Sequence, residues 1–284
     1  MSDDLRLMAI LAHPDDESLG IGGTLAKYSR EGVQTFLVTA TRGERGRYGE
    51  LPEHPGYEAV GRLREAELRC AAATLGVKLV DFLDYMDGDL DKADPGEVVA
   101  KIVDYIRIHR PHVVITFGPE GAYGHPDHIA ISQFAAAAVT CAANPDFAAY
   151  NGNPLAAQPH QVSKFYFIAW TRAVWDAYLA AFRDLKTVVD NVERRVTPAP
   201  DWMVTTHIDT TEVWETAWQA VQCHKTQLTI YSKLADLPLE HHRTIWGTQQ
   251  YYRVFSSVNG GRRLETDLFE GLREMTLHRK EQLR

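Results

Sequence analysis

Leu5-Arg-Leu-Met-Ala-Ile-Leu11, followed at once by Ala12-His13-Pro14-Asp15-Asp16-Glu17, is the stretch on which the fold turns. Seven residues with a single charge read as a buried strand, and the prolyl turn after them ends it. Ser18 to Arg30 then reads as a helix, with Ser18 as its cap and Gly32 just beyond its end. Strand, acidic turn, helix is the opening of a βα unit, and the pattern repeats. Thr35 to Ala40 is a β-branched strand. Tyr57 to Leu75 is helical: Leu63, Ala66, Leu68, Ala71 and Leu75 fall near the 3.6 period, and Gly76 stops it. Lys78 to Leu83 is a third strand and Gly96 to His109 a helix broken by Pro111. Val113 to Phe117 is a fourth strand and Pro126 to Ala143 an Ala-rich helix.

Strands alternating with helices imply right-handed βαβ crossovers and a parallel sheet covered on both faces. Lys164 to Trp170, Met203 to Ile208 and Tyr251 to Val258 extend the strand set, and Thr211 to Gln227 reads as a helix. Asn144 to Pro159, rich in Pro, Asn and Ala, reads as a linker or insertion. The expected fold class is α/β: a Rossmann-like, mostly parallel sheet with helices on both faces and C-terminal embellishments. The expected organisation is one catalytic domain over 1–284. Residues 1–143 hold the core βα units, and 144–284 hold the remaining sheet and a substrate-shaping region.

Composition removes several function classes. The 284 residues are 45% hydrophobic and 24% charged, ordinary for a globular chain able to bury a sizeable core. Thirty basic and 38 acidic residues give a net charge of −8. The small cluster Arg42, Arg45, Arg47 is not the basic footprint of a nucleic-acid binder. Neither nucleic acid nor a membrane is an expected partner. A homo-oligomer is compatible with this composition. No apolar run reaches the ~20 residues of a membrane helix, and Met1 to Arg6 carries two aspartates and does not read as a signal peptide. The cytoplasm is the expected compartment. Cys70, Cys141 and Cys223 are scattered and read as buried reduced thiols.

In open α/β sheets ligands bind beyond the carboxyl ends of the strands. The first strand runs into His13-Pro14-Asp15-Asp16-Glu17, and the fourth leads through a short loop to Tyr123-Gly124-His125-Pro126-Asp127-His128. Parallel strands bring both loops to one side. A single His-Pro-Asp would pass for a turn with an acidic helix cap; two of them, each after a parallel strand, suit a metal. Zinc takes His nitrogen and carboxylate oxygen at ~2.0–2.2 Å, with three protein ligands and one open position in catalytic sites. A coherent site has His13, Asp16 and His128 as ligands, Asp15 free as a general base, and His125 facing the same pocket. Zn2+ is the expected ion, with Fe2+ or another divalent metal not distinguished by ligand type.

These two motifs resemble those of the LmbE/PIG-L family of metal-dependent N-deacetylases. The likeness extends to Thr41-Arg-Gly-Glu44-Arg-Gly46, Arg64 and Glu67 ahead of Leu75-Gly76, Asp87 in Tyr85-Met-Asp-Gly88, and His224-Lys-Thr-Gln227. It covers residues 5 to 140 well and the remainder loosely. The resemblance implies that His13, Asp16 and His128 hold the metal and that Asp15 takes a proton from water. It implies that His125, oriented by Asp127, stabilises the oxyanion or protonates the leaving amine. Tyr123 would assist at the oxyanion, and Arg64 and Asp87 would contact sugar hydroxyls. The implied substrate is a small-molecule amino sugar or its conjugate, losing an N-acetyl or similar N-acyl group.

Two alternatives remain at this level: an S-conjugate amidase or other amidase on the same scaffold, and a non-catalytic carbohydrate-binding protein. The unligated Asp15 speaks against the second. Glu44 is assigned to the pocket lining. His54, His160, His207, His241 and His242 read as surface or loop residues, and His224 as pocket-facing or packing. Trp170, Trp202, Trp214, Trp218 and Trp246 read as core. Specificity is expected from Tyr48 to Gly56, Asn144 to Pro159, and Leu228 to Gln249.

Overall fold

A computed structural model of the chain describes residues 5–182, 186–189, 191–261 and 263–273; residues 1–4, where a signal peptide would begin, lie outside them. The first half follows the alternation. β1 (Arg6–Leu11), α1 (Asp16–Arg30), β2 (Gln34–Thr41), α2 (Tyr57–Leu75), β3 (Leu79–Tyr85), α3 (Pro95–His109) and β4 (Val113–Thr116) succeed one another. A short turn of helix, α4 (Gly121–Gly124), precedes α5 (Pro126–Ala143). Apolar strand residues drive this: Leu7 to Leu11 and Val113 to Ile115 are wholly buried. Local signals set the ends. Asp94 caps α3 by accepting from the Glu97 N–H with Pro95 in the first turn, and Gly76 closes α2 at a φ of 75°. Ser18 does not cap α1. The helix starts two residues earlier, with Asp15 in the cap position.

The second half supplies β5 (Lys164–Ile168), α6 (Arg172–Phe182), a hairpin of β6 (Lys186–Val189) and β7 (Val192–Arg195), and β8 (Thr206–Asp209). Then come α7 (Trp214–Cys223), α8 (Leu228–Ala235), α9 (Leu239–Trp246) and β9 (Thr248–Ser256). The helix expected over Thr211 to Gln227 breaks at His224, whose φ and ψ of −80° and 63° are not helical. Asn144 to Pro159 is not a free linker. It forms two short 3-10 turns packed on α3. The buried Arg107 donates to the carbonyls of Ala142, Asn144, Phe147 and Ala156.

The main sheet has seven strands in the order β3-β2-β1-β4-β5-β9-β8. β3 to β5 are mutually parallel, and β9 runs antiparallel to both β5 and β8. α3 packs on α5, while α1, α2 and α7 pack on one another. Winding starts at β1, proceeds outward to β3, and then resumes at β4 on the other side. The loops after β1 and β4 therefore diverge and leave a crevice between them, the position where doubly wound sheets bind ligands. No helix among the described residues is long and apolar enough to cross a membrane.

Candidate active site

His13 follows β1, and His128 sits in the first turn of α5, after β4. The Asp16 carboxylate anchors the β1 turn: its Oδ2 accepts from the N–H of Ala12 (3.2 Å) and of His13 (2.7 Å). That leaves Oδ1 facing His128 Nε2 at 3.3 Å. His13 Nδ1 lies 3.1 Å from His128 Nε2 and 3.7 Å from Asp16 Oδ2. Three donors from the two motifs thus converge within one another's reach. The three side chains are buried, and the His128 ring is stacked on Phe117 at a centroid distance of 4.0 Å.

The other nitrogen of His13 explains the acidic residues nearby. Nε2 lies 3.1 Å from both Asp87 Oδ1 and Asp127 Oδ2. Asp127 also accepts from the N–H groups of Gly88 (2.6 Å) and Leu90 (3.2 Å), and Asp87 from the Arg45 N–H (3.0 Å). Two groups of residues crowd ligand atoms within 4.8 Å: His13, His125 and His128, and His13, Asp87 and Asp127. The second is a closed carboxylate–imidazole arrangement, since Asp127 is wholly buried and its oxygens are engaged by backbone. It orients His13 and keeps a proton on Nε2, which leaves Nδ1 as the lone pair for a ligand. The convergence on the Nδ1 side faces the cavity. There Asp16 and His128 form part of the wall. The donor set, two imidazoles and one carboxylate, fits a divalent cation.

Electrostatics follow the same partition. Burial opposes ionisation of Asp16, but His128 and His13 hold its carboxyl down at about 2. Asp87 is likewise held low, against its burial, by His13 and Arg64. Asp15 goes the other way: burial raises its carboxyl above the ordinary value, against the pull of Arg64. Burial and the neighbouring His13 and His128 push His125 down to about 3, so its imidazole is neutral.

Asp15 stands next to the convergence and is buried. Its Oδ2 accepts from Arg64 Nη2 (2.9 Å) and from the Tyr231 hydroxyl (2.7 Å). Arg64, which the resemblance implied as a sugar contact, is engaged within the protein. Only 4% of it is exposed, and it also donates to Pro14 O (2.6 Å) and Gly43 O (2.8 Å). Gly43 and Gly46 make room for it, since a Cβ at either would come within 2.3 Å of its Nη1. Asp87 turns to His13 rather than outward, and Glu44 accepts from the Asp87 N–H at 3.2 Å; neither forms part of the cavity wall. The Asp127 carboxylate orients His13, not His125. His125 is held by the Asp127 backbone instead, whose N–H donates to His125 Nδ1 at 3.2 Å. Tyr123 reaches the cavity with its ring 5.3 Å from that of His128.

The cavity above these residues has a volume of about 540 Å³. Trp170, Trp175, Tyr178 and Phe182 from β5–α6 form one part of its wall, and Thr229 to Tyr231 with Lys233 from α8 another. Trp170 and Trp175 are thus pocket residues as well as core, Trp202 is 80% exposed, and His242 is buried among Trp214, Trp218 and Trp246. Arg47 comes from the β2–α2 loop, whereas the Asn144 to Pro159 segment does not reach the cavity. The thiols are not all buried either: Cys70 is exposed, and Cys141 and Cys223 are half-buried. Glu17, expected with Asp15, Asp16, Asp87 and Asp127 around the cation, instead accepts from the Asp15 N–H and lies 2.8 Å from His224 Nε2, and sequence reasoning does not reach Tyr231 as a site residue. Tyr231 carries no motif, and its signal is only its place in a segment expected to shape specificity.

Residues 8–139 match the family model described as PIG-L: GlcNAc-PI de-N-acetylase. The chain is 33% identical to the 1D-myo-inositol 2-acetamido-2-deoxy-alpha-D-glucopyranoside deacetylase of Streptomyces avermitilis, over 95% of this chain and 98% of that protein. It is 35% identical to the protein of that name from Rhodococcus opacus, over 79% and 82%. Among solved structures it resembles the N,N'-diacetylchitobiose deacetylase of Pyrococcus horikoshii (TM-score 0.66, 22% identity, 89% of this chain and 84% of that one). It also resembles the 4-carboxy-2-hydroxymuconate hydratase of Pseudomonas putida (TM-score 0.65, 20% identity, 90% and 99%). The two solved structures speak for the fold alone, and their differing chemistries show why it cannot decide function. The chain belongs to the PIG-L family of de-N-acetylases and is an enzyme of that hydrolytic class.

Proposed function

We propose that this enzyme removes the N-acetyl group from a GlcNAc-type amino sugar carried on a second unit such as an inositol. The observation that carries the reading is the convergence of His13 Nδ1, His128 Nε2 and Asp16 Oδ1, beside a carboxylate that belongs to none of those contacts. His13, Asp16 and His128 would hold a divalent ion, zinc in our reading. When bound, such an ion polarises an amide carbonyl and lowers the pKa of water towards ~7. Asp15 supplies the base. Arg64 and Tyr231 occupy its Oδ2, so Oδ1 is the oxygen left to take the proton of the attacking water. A carboxyl raised by burial suits that task better than one held low like Asp16.

His125 has its Nδ1 occupied as an acceptor by the Asp127 N–H. A neutral ring in that arrangement carries its proton on Nε2, and the tautomer follows from the hydrogen bond. His125 therefore offers a donor to charge developing on the amide oxygen, and Tyr123 a second. Burial raises the Tyr123 phenol further above its ordinary value, so it acts as a neutral donor. The aromatic wall and a cavity of about 540 Å³ leave room for the second unit of a conjugate. The same wall supports a second reading, an amidase acting on a bulkier conjugate.

The test is amine release from N-acetylglucosaminyl-inositol and from bulkier amide conjugates by the metal-reconstituted enzyme. Asp15→Ala should retain the metal and lose ~10²–10⁴-fold in kcat. Turnover by Asp15→Ala close to wild type would remove the base from this reading. Turnover confined to bulkier conjugates would select the amidase.

A further inference from the structure

Asp15 stands in a backbone conformation that L-residues avoid, with φ of 102° and ψ of −25°. Residues held in such regions are strained and persist only where their surroundings over-determine them. The surroundings here are specific. The Asp15 N–H donates to Glu17 Oε2 at 2.9 Å. The other oxygen of Glu17 accepts from His224 Nε2 at 2.8 Å and from the Ser18 hydroxyl. Ser18 Oγ lies 3.3 Å from the same imidazole nitrogen, and the Ser18 carbonyl accepts from Trp246 Nε1 at 3.1 Å.

Glu17 and His224 are both wholly buried, and neither forms part of the cavity wall. His224 Nδ1 has no partner among the described residues, so the hydrogen bonding of the ring is spent on Glu17 and Ser18. A buried carboxylate–imidazole pair gives little net stability compared with an apolar pair of the same size. What this one does instead is reach the base. His224 arrives from the break after α7, more than two hundred residues from Asp15. Its contact fixes Glu17 so that the second oxygen meets the Asp15 N–H.

We propose that Glu17 and His224 are positioning residues for the reaction: His224 locks Glu17, and Glu17 clamps the backbone of Asp15 in its left-handed conformation beside the His13–Asp16–His128 convergence. The proposal rests on the reading of Asp15 as the base. A misplaced base loses rate rather than affinity, and a shift of about 1 Å can cost ~10²-fold.

The experiment is steady-state amine release by wild type, Asp15→Ala, His224→Ala and His224→Gln, with the metal content of each measured. His224→Ala should lower kcat about tenfold or more, with KM within about twofold and metal content unchanged. His224→Gln, whose amide N–H can still donate to Glu17, should recover most of that loss. Should His224→Ala not fold, Glu17→Gln replaces it. Its single amide oxygen can serve Asp15 or His224 but not both, so a kcat loss at constant KM is again expected. Wild-type kcat in His224→Ala, equal losses in the Ala and Gln variants, or a loss that follows metal content would each overturn the pair. Wild-type turnover by Asp15→Ala overturns the base itself, and the pair with it. Full dependence on Asp15 with indifference to His224 overturns the pair alone.

Discussion

At the scale of single residues, Arg64 separates what a motif can say from what contacts decide. The family likeness implied a sugar contact, yet its guanidinium spans three acceptors: Asp15 Oδ2, Pro14 O and Gly43 O. The planar fork holds two nitrogens at fixed positions against these acceptors, a geometry that a single ammonium nitrogen does not reproduce. Arg64→Lys should keep the positive charge but lose the geometry. The expected outcome is a fall in kcat of about tenfold to a hundredfold with KM little changed, since the base moves and the cavity wall does not. Substrate titration checks it: a raised KM at constant kcat would return Arg64 to the sugar. His13→Ala tests the other end of the site. Its Nδ1 is one of three converging donors, so metal per chain measured by elemental analysis should fall well below wild type. Unchanged occupancy would point to a different ligand set.

At the scale of elements, Arg107 shows how one side chain turns an apparent linker into structure. Four carbonyls, including that of Ala142 in the last turn of α5, surround a buried guanidinium, favourably placed at the negative end of a helix. Arg107→Ala leaves those carbonyls without their donor, and a loss of about 3 kcal/mol in unfolding free energy is expected. Cleavage by a protease should concentrate between Asn144 and Pro159, while the KM of the folded enzyme stays at its wild-type value because the segment does not reach the cavity. A raised KM would restore the segment's expected part in specificity. Nothing in Asn-Pro-Asp-Phe or Asn-Gly-Asn-Pro announces this docking, because Arg107 lies some forty residues away on α3. The same limit applies elsewhere. β1 and β4 are legible because buried parallel strands are continuous apolar runs, β2 because its residues are β-branched and apolar, and α2 because its period and its Gly76 stop are local. The convergence of His13, Asp16 and His128 is legible because two strand ends carry it. The ties of Asp15 to Arg64, Tyr231 and Glu17, and the aromatic wall from α6, depend on packing between distant segments, and no spacing encodes them. α6 itself, the β6–β7 hairpin and the division into α8 and α9 are illegible in the sequence for the same reason.

At the scale of the whole molecule, the sheet divides its labour between its two ends. The carboxyl ends of β1 and β4 carry the site, while the start of β5 carries the fastening of the antiparallel extension. Glu265, 1% exposed, accepts from Lys164 Nζ (2.6 Å) and Tyr166 Oη (2.8 Å) on β5 and from Thr206 Oγ1 (2.8 Å) on β8. Arg253 on β9 pairs with it at 2.8 Å, and Asn259 donates at 2.6 Å. Burial opposes its ionisation, but Lys164, Asn259, Tyr166 and Thr206 together hold its carboxyl down at about 2. The sign of the linkage follows. A carboxylate whose folded pKa is depressed binds fewer protons folded than unfolded around pH 3 to 4. Its stabilisation is complete above the unfolded value of roughly 4.3 and is lost as pH falls towards the folded value. Glu265→Gln should therefore destabilise the protein at pH 7 but narrow its gap to wild type as pH is lowered from about 5 to about 2.5. Glu265→Ala, which leaves the wholly buried Lys164 without its counter-charge, should cost about 3–5 kcal/mol. Urea denaturation midpoints at stepped pH decide the matter. A gap between wild type and Glu265→Gln that stays constant down to pH 2.5 would mean that the carboxyl is not held ionised by this network. Because the fastening lies at the opposite end of β5 from the cavity, kcat of the folded Glu265→Gln enzyme at neutral pH should equal that of wild type. A loss of turnover there would mean that the extension helps to shape the site after all.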